Sequence, residues 1–333
     1  MRADIIIVGQ GLAGTVLGWE LERTGIPFEI VDAGHDTSAS RIAAGIINPI
    51  TGRRLVKSWQ VDALLTGARG AFLELGAALG ANVWHDLRVR RLFADDRERR
   101  VFAEKQARGE LAPFASAADS DGFWIERAGR VDLPVLLSMA RMRWIEAGIL
   151  RQERFDWAAG QDGAELVIDC TGAASSQFDF VPWEVSKGEI LTVAVEGLDP
   201  RVILNRGHWV CPLGLGVAKV GATHEPGQTD THPTGKARVA LEASATTMLG
   251  RPFAVSRHEA GVRVNLPDRR PIVGRHPSRP RLGIFNALGS KGALLAPWLA
   301  RQWVNHLTEA VPFEPSVDSQ RFWQLHSSQT SSH

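Results

Sequence analysis

Asp4-Ile5-Ile6-Ile7-Val8-Gly9-Gln10-Gly11-Leu12-Ala13-Gly14 is the stretch that decides the fold. The unbroken apolar run before Gly9 reads as a buried parallel strand, because a strand covered on both faces has no polar side to alternate with. The glycines then turn the chain directly into a helix that continues through Leu17 and Leu21. The three glycines do different things: Gly9 permits the tight turn, Gly11 lets backbone approach a pyrophosphate, and Gly14 lets the helix pack on the strand. Leu12, Ala13 and Gly14 open the helix, whose free N–H groups and positive dipole end suit phosphates. A second apolar strand, Phe28 to Val31, ends at Asp32 and Ala33, and the Asp32 carboxylate is placed to accept hydrogen bonds from a ribose. Strand, glycines, helix, strand and terminal acid in register define a dinucleotide site, where a lone glycine string would be only a tight turn.

Composition bounds the rest. With 333 residues the chain can build a large core and two intimately connected lobes. Its 44% hydrophobic and 23% charged residues are those of an ordinary globular protein, and a net charge of +1 gives no global attraction to nucleic acid or membrane. Cys170 and Cys211 lack CxxC spacing, so neither a disulfide framework nor a metal site is expected, and a reducing cytoplasm fits. The apolar start is too short for a membrane span or a signal peptide. Tyrosine is absent and tryptophan occurs 11 times, which rules out tyrosine-dependent catalysis and leaves Trp and Phe as aromatic walls.

Beyond Asp32, a small polar loop from Gly34 to Ser40 leads into Arg41-Ile-Ala-Ala44-Gly45-Ile-Ile-Asn-Pro49. Leu64, Leu65, Ala68, Phe72, Leu75 and Leu79 form one stripe of a helix over Val61 to Leu79. Strands are expected over Val83 to Phe93, and a charged helix over Asp95 to Gly109. Arg88 to Arg108 carries eight Lys or Arg against four Asp or Glu, which reads as a solvated face in preference to an RNA patch. Asp132 as N-cap and Pro134 in the first turn start a helix through Glu146. Strands over Ile149 to Phe155 and Glu165 to Cys170 follow, the second ending in Thr171-Gly172. Glu184 to Val195, Val202 to Leu204, His208 to Cys211 and Val217 to Gly221 read as a β-rich lobe with one helix, Gly235 to Leu249. The last third returns to helix and short strands, and no solenoid repeat is present.

These strings together resemble the D-amino acid oxidase, glycine oxidase and sarcosine oxidase family of FAD-dependent oxidoreductases over nearly the whole chain. Besides the opening glycines the resemblance is carried by SASRIAAGIINP (Ser38 to Pro49), GRVDLPVLL (Gly129 to Leu137), DCTGAAS (Asp169 to Ser175) and KGEIL (Lys187 to Leu191). HWVCPLGLGVAKVGAT (His208 to Thr223), GVRVNLPDRRPIVGRHP (Gly261 to Pro277) and NALGSKGALLAP (Asn286 to Pro297) complete it, in the family's order. It implies that Ser40, Arg41, Ala44 and Gly45 pass the pyrophosphate and flavin, that Thr171 and Gly172 lie against the cofactor, and that Gly289, Ser290, Lys291 and Gly292 face the flavin's pyrimidine edge.

The resemblance also implies that Arg263 holds a substrate carboxylate, a role suited to a planar guanidinium fork; a structural ion pair at a strand end is the alternative. Lys291 is either a second catalytic-site cation or a surface lysine. Arg251 to Arg281 holds eight arginines against Glu259 and Asp268, which favours an anionic ligand. Relatives that attach FAD covalently use a histidine where this chain has Ile42, or a late cysteine that is missing after Cys211, so the FAD is expected to be noncovalent. Val264 replaces the proline that usually follows the arginine.

The expected architecture is α/β: a Rossmann-like FAD-binding lobe from residues 1-55, 125-180 and 260-310, and a β-rich substrate lobe, antiparallel sheet plus helix, from 56-124 and 181-259. A disordered tail is expected over 327-333. The expected activity is oxidation of a small primary or secondary amine or amino acid, with an acidic group, by hydride transfer to flavin N5 and hydrolysis of the imine. Two alternatives stand beside it: oxidation of an aminomethyl group on a tRNA base, and a non-catalytic flavin-binding redox sensor. A small-molecule partner is favoured over nucleic acid, and no membrane partner is expected.

Overall fold

The computed structural model describes residues 4–34, 38–158 and 163–323. The serine-rich tail expected to be disordered lies outside them.

A six-stranded sheet forms around the opening strand. Ile5–Val8 pairs in parallel with Phe28–Val31 on one side and Leu166–Asp169 on the other. Leu150–Arg151 extends the first edge, and Arg279–Asn286 followed by antiparallel Ile272–His276 the second. The strand expected over Ile149 to Phe155 is thus reduced to two paired residues, which occupy the sheet edge where no further partner continues the ladder. Helices Leu12–Arg23 and Gly292–Glu309 pack on each other beside the sheet, with Val61–Leu79 and Leu133–Glu146 against them. Ile7, Leu17, Leu21, Ile30, Phe72 and Trp303 lie in the shared core. The expected stripe on Val61–Leu79 is buried at Leu65, Ala68, Phe72, Leu75 and Leu79, and the helix stops at Gly80 in the left-handed conformation.

A second, ten-stranded sheet lies beyond. Glu184–Ala194 is its longest-paired strand, flanked by Val217–Gly221 and by Ala254–Asn265, a twelve-residue strand that the sequence pattern did not isolate. His208–Gly214, Val202–Arg206, Trp84–Leu92 and Gly122–Val131 continue the sheet in that order. Gly122–Val131, whose sequence straddles the expected lobe boundary at 125, lies wholly in this sheet, as does Arg263 on Ala254–Asn265. One face is dry: Leu191, Val193, Val210, Ala218 and Val220 pack beneath Leu241 and Ala245 of helix Gly235–Leu249. The opposite face, carrying Ile190 and Trp209, turns toward the first sheet and lines the cavity between them. No helix among the described residues is long and apolar enough to cross a membrane.

Candidate cofactor and substrate site

Gly9 takes φ +99°, and a Cβ there would meet Cys170 O at 2.9 Å. At Gly14 a Cβ would sit 2.0 Å from Gly9 O, so only glycine lets the helix start this close to the turn. Gly11 is the N-cap and gives the helix no side-chain cap; Leu12 N–H donates to Ser40 Oγ at 3.1 Å. Asp32 is buried beside the turn. Its Oδ1 accepts from Gln10 N–H at 2.9 Å, and its Oδ2 from Gly34 N–H at 3.0 Å and from Arg141 Nη1 at 2.7 Å. Ala33, next in sequence, is exposed. Sequence patterns do not single out Arg141: it stands on a helix whose pattern reads as plain packing, and only the fold carries it to Asp32.

The cavity has a volume of about 320 Å³, and Leu12, Ser40, Ala44, Gly45, Gly289, Ser290 and Gly292 are among the residues that line it. Two helix N-termini therefore meet it, at Leu12 and at Gly292, and a Cβ on Gly292 would lie only 2.9 Å from Leu12 Cδ2. The second helix, like the first, has no side-chain cap. Apart from Leu12 N–H, which donates to Ser40 Oγ, these two helix starts present partial positive charge to whatever fills the space. Gly45 has φ +66° and lies where a Cβ would be 2.0 Å from Val131 O, which fixes its segment to the second sheet. Arg41 sits outside the lining, its Nη1 donating to Ser138 Oγ at 3.3 Å.

Thr171 and Gly172 are also outside the cavity lining, at the end of the strand beside Gly9. Their turn is organised by Asp169, whose carboxylate accepts from Thr171 N–H, Thr171 Oγ1 and Ser175 Oγ at 2.9, 2.6 and 2.7 Å. Burial raises the Asp169 pKa from its ordinary value, and those three donors oppose the rise. Asn286 Nδ2 donates to Gly172 O at 3.0 Å and ties the turn to the neighbouring strand.

Arg263 projects into the cavity from Ala254–Asn265. Gly188 on the paired strand makes the space: a Cβ there would lie 1.9 Å from Arg263 Nη2. The guanidinium donates to Thr223 O at 3.2 Å. Burial lowers its pKa from the ordinary value, and no carboxylate among the described residues is within ion-pair distance of it. Trp209, Ile190, Ile46 and Leu288 give the cavity apolar walls, and Thr223 and His224 stand near the arginine. Gly188 and Thr223 lie inside the sequence strings that carry the resemblance, but nothing in spacing alone distinguishes them there.

The remaining arginines of Arg251 to Arg281 do not line the cavity. Arg251, Arg279 and Arg281 donate to backbone carbonyls, Arg269 pairs with Glu184, and Arg270 lies over Trp59. Lys291 is likewise absent from the lining: its Nζ donates to Ser58 Oγ at 2.9 Å and Thr51 Oγ1 at 3.3 Å, and burial lowers its pKa to about 8. The basic excess of Arg88 to Arg108 is largely consumed by partners. Arg88 pairs with Glu126, Arg90 with Asp119, Arg91 with Glu98, Arg99 with Asp96, and Lys105 and Arg108 with Glu110.

A helix N-terminus behind a glycine turn, a buried acid on the adjoining strand and a cavity lined by that N-terminus and a second one beside it fit a flavin dinucleotide. Residues 4–305 match the DAO family of FAD dependent oxidoreductases, and the chain belongs to that family. Its cofactor is FAD, and with Ile42 in the cavity wall and no cysteine after Cys211 it offers neither usual point of covalent attachment. The chain is 30% identical over 324 residues to the tRNA 5-methylaminomethyl-2-thiouridine biosynthesis bifunctional protein MnmC of Maricaulis maris (strain MCS10), a match covering 92% of this chain and 52% of the relative. It thus spans about half the length of the curated relatives it matches. Among solved structures it resembles iminodiacetate oxidase from Chelativorans sp. BNC1 (TM-score 0.77, 20% identity, 94% of this chain and 98% of that one). Glycine oxidase from Geobacillus kaustophilus is similar (TM-score 0.75, 21% identity, 91% and 94%). At those identities the likeness is one of fold.

Proposed function

We propose that the protein oxidises an amine that carries a carboxylate close to the reacting carbon, such as a glycine or N-substituted glycine unit. The observation that carries this reading is Arg263: a half-buried guanidinium facing a cavity, with a single backbone carbonyl as its hydrogen-bond partner among the described residues. Partial burial of a cation with no carboxylate beside it is costly, and a ligand carboxylate offsets that cost while gaining a bidentate contact. Arg263 then binds and orients the acid, and Trp209, Ile190 and Leu288 exclude water around the amine carbon. The N-terminus of Gly292–Glu309, whose first residues line the same cavity, supplies N–H dipoles there. Bound FAD supplies the two-electron acceptor for the hydride leaving carbon. The amine's own lone pair drives that loss, so no protein base is assigned; the resulting imine is hydrolysed by water to an amine and a carbonyl acid.

A second reading is favoured by the Maricaulis relative, whose name places it in tRNA 5-methylaminomethyl-2-thiouridine biosynthesis: the same chemistry on an amine borne by a tRNA base. One panel separates the readings. Turnover of glycine, sarcosine, iminodiacetate and proline, followed by release of the carbonyl acid, supports the small-molecule substrate. Turnover confined to aminomethylated RNA supports the second. A protein that binds FAD and turns over none of them is a redox sensor, and the amine reading fails.

A further inference from the structure

Lys219 is buried on Val217–Gly221, in the middle of the ten-stranded sheet. Its neighbours Ala218 and Val220 face the dry side under helix Gly235–Leu249, so the alternation of the strand turns Lys219 to the side that carries the cavity. It pairs across the sheet with Cys211, two residues along and so on the same face as the Trp209 and Gly221 pair, and Trp209 is a cavity wall. The ammonium reaches out of the sheet and donates to Ile42 O at 2.5 Å and Ala43 O at 3.4 Å. Both of those residues line the cavity.

Ile42 ends a short helix, Ala39–Ile42, whose start is capped by Ser38 through Arg41 N–H. The carbonyls at its end lack helical partners and carry partial negative charge, which is what a cation can satisfy. The same short segment holds Ser40, which accepts from Leu12 N–H at the first helix, and runs on to Ala44 and Gly45. Packing alone does not call for a lysine here, because an aliphatic side chain would fill a buried sheet position without a desolvation cost. Burial lowers the Lys219 pKa from its ordinary value, with Glu259 and Asp132 acting against that and Arg130 with it.

We infer that Lys219 is a positioning residue for the FAD: from the second sheet it pins the Ala39–Gly45 segment, and it sets a buried positive charge one peptide behind the cavity wall. The charge favours the more electron-rich, reduced state of whatever ring lies on that wall, and the hydrogen bonds hold the wall in place. The inference rests on the FAD assignment and is independent of the substrate reading, so its test needs no amine.

The test compares wild type with Lys219→Met, which removes donors and charge, and Lys219→Gln, which keeps a donor and removes the charge. Each apoprotein is titrated with FAD by quenching of flavin fluorescence, and each reconstituted protein is poised for its midpoint potential. Lys219→Met is expected to bind FAD roughly tenfold or more weakly, the scale of one charge-assisted hydrogen bond. Both variants are expected to show a more negative potential. Lys219→Arg, which keeps charge and donors, is expected to restore the potential. Wild-type affinity and potential in a folded Lys219→Met or Lys219→Gln protein overturns the inference. If Lys219→Met does not fold, Lys219→Gln decides it, and failure of both to fold makes Lys219 a folding residue and overturns it as well.

Discussion

Gly188→Ala perturbs the proposed substrate anchor without touching Arg263 itself. Gly188 does not occupy the left-handed region of backbone space, so alanine costs nothing in φ and ψ, and the whole effect is the added methyl. That methyl would lie 1.9 Å from Arg263 Nη2 and 2.5 Å from Cζ, whereas ordinary contact begins at 3.4 Å. The guanidinium must therefore retreat by roughly 1.5 Å, and the hydrogen bond to Thr223 O at 3.2 Å cannot survive in place. A displacement of about 1 Å at a positioning group can cost on the order of 100-fold in rate, comparable with losing a charged hydrogen bond of about 1.5 to 3 kcal/mol. Steady-state kcat/KM for the best acidic amine is expected to fall by about that factor. A neutral amine analogue should change little, and flavin content and Tm should stay near wild type. An equal fall for both amines, or no fall for either, refutes the assignment of Arg263 as the carboxylate anchor.

Three other outcomes follow from the geometry. Acid precipitation should release the FAD into the supernatant, and flavin retained in the pellet would falsify noncovalent binding. Asp32→Ala should weaken FAD by roughly 1.5 to 3 kcal/mol, because it removes the carboxylate that is expected to accept from the ribose and that Gln10 N–H and Arg141 hold at the dinucleotide turn; unchanged affinity in a titration places the ribose elsewhere. Lys291 has its pKa lowered to about 8 in the folded apoprotein, against 10.5 ordinarily, so the unfolded chain holds more protons between those values. Apoprotein stability should therefore gain a contribution that rises from about pH 8 toward 10.5. Denaturant melts of Lys291→Met should lack that rise, and an identical pH profile would mean the ammonium is not buried.

The strands and helices that hold the dinucleotide were legible because their signals are local. Four apolar residues, three glycines and a terminal acid leave one arrangement for Ile5–Val8, Leu12–Arg23 and Phe28–Val31. The helix Val61–Leu79 declared itself by its apolar stripe, and Gly235–Leu249 was legible as the one helical stretch among the β-rich segments. Ala254–Asn265 escaped because its first half is nowhere fully buried and four of those six residues are polar, so neither alternation nor a continuous apolar run marks it; its pairing with Glu184–Ala194 defines it. The supporting residues of the site were hidden for the same reason. Gly188 is distinguished from other glycines only by the guanidinium lying on it, and Arg141 and Lys219 act on segments more than a hundred residues away in sequence. Charge counting had a similar limit: the arginine excess at Arg88 to Arg108 dissolves once Glu126, Asp119 and Glu110 are brought to it.

The most direct measurement is anaerobic mixing of the FAD-loaded protein with small amino acids and aminomethylated RNA nucleosides, followed through the absorbance of the oxidised flavin. An amine bearing a carboxylate is expected to bleach that band with no nicotinamide cofactor present, and Arg263→Lys, which keeps the charge but loses the fork, is expected to need far more of it. If no amine bleaches the flavin and NADPH does so rapidly, the hydride does not come from an amine, and the amine oxidase account is contradicted.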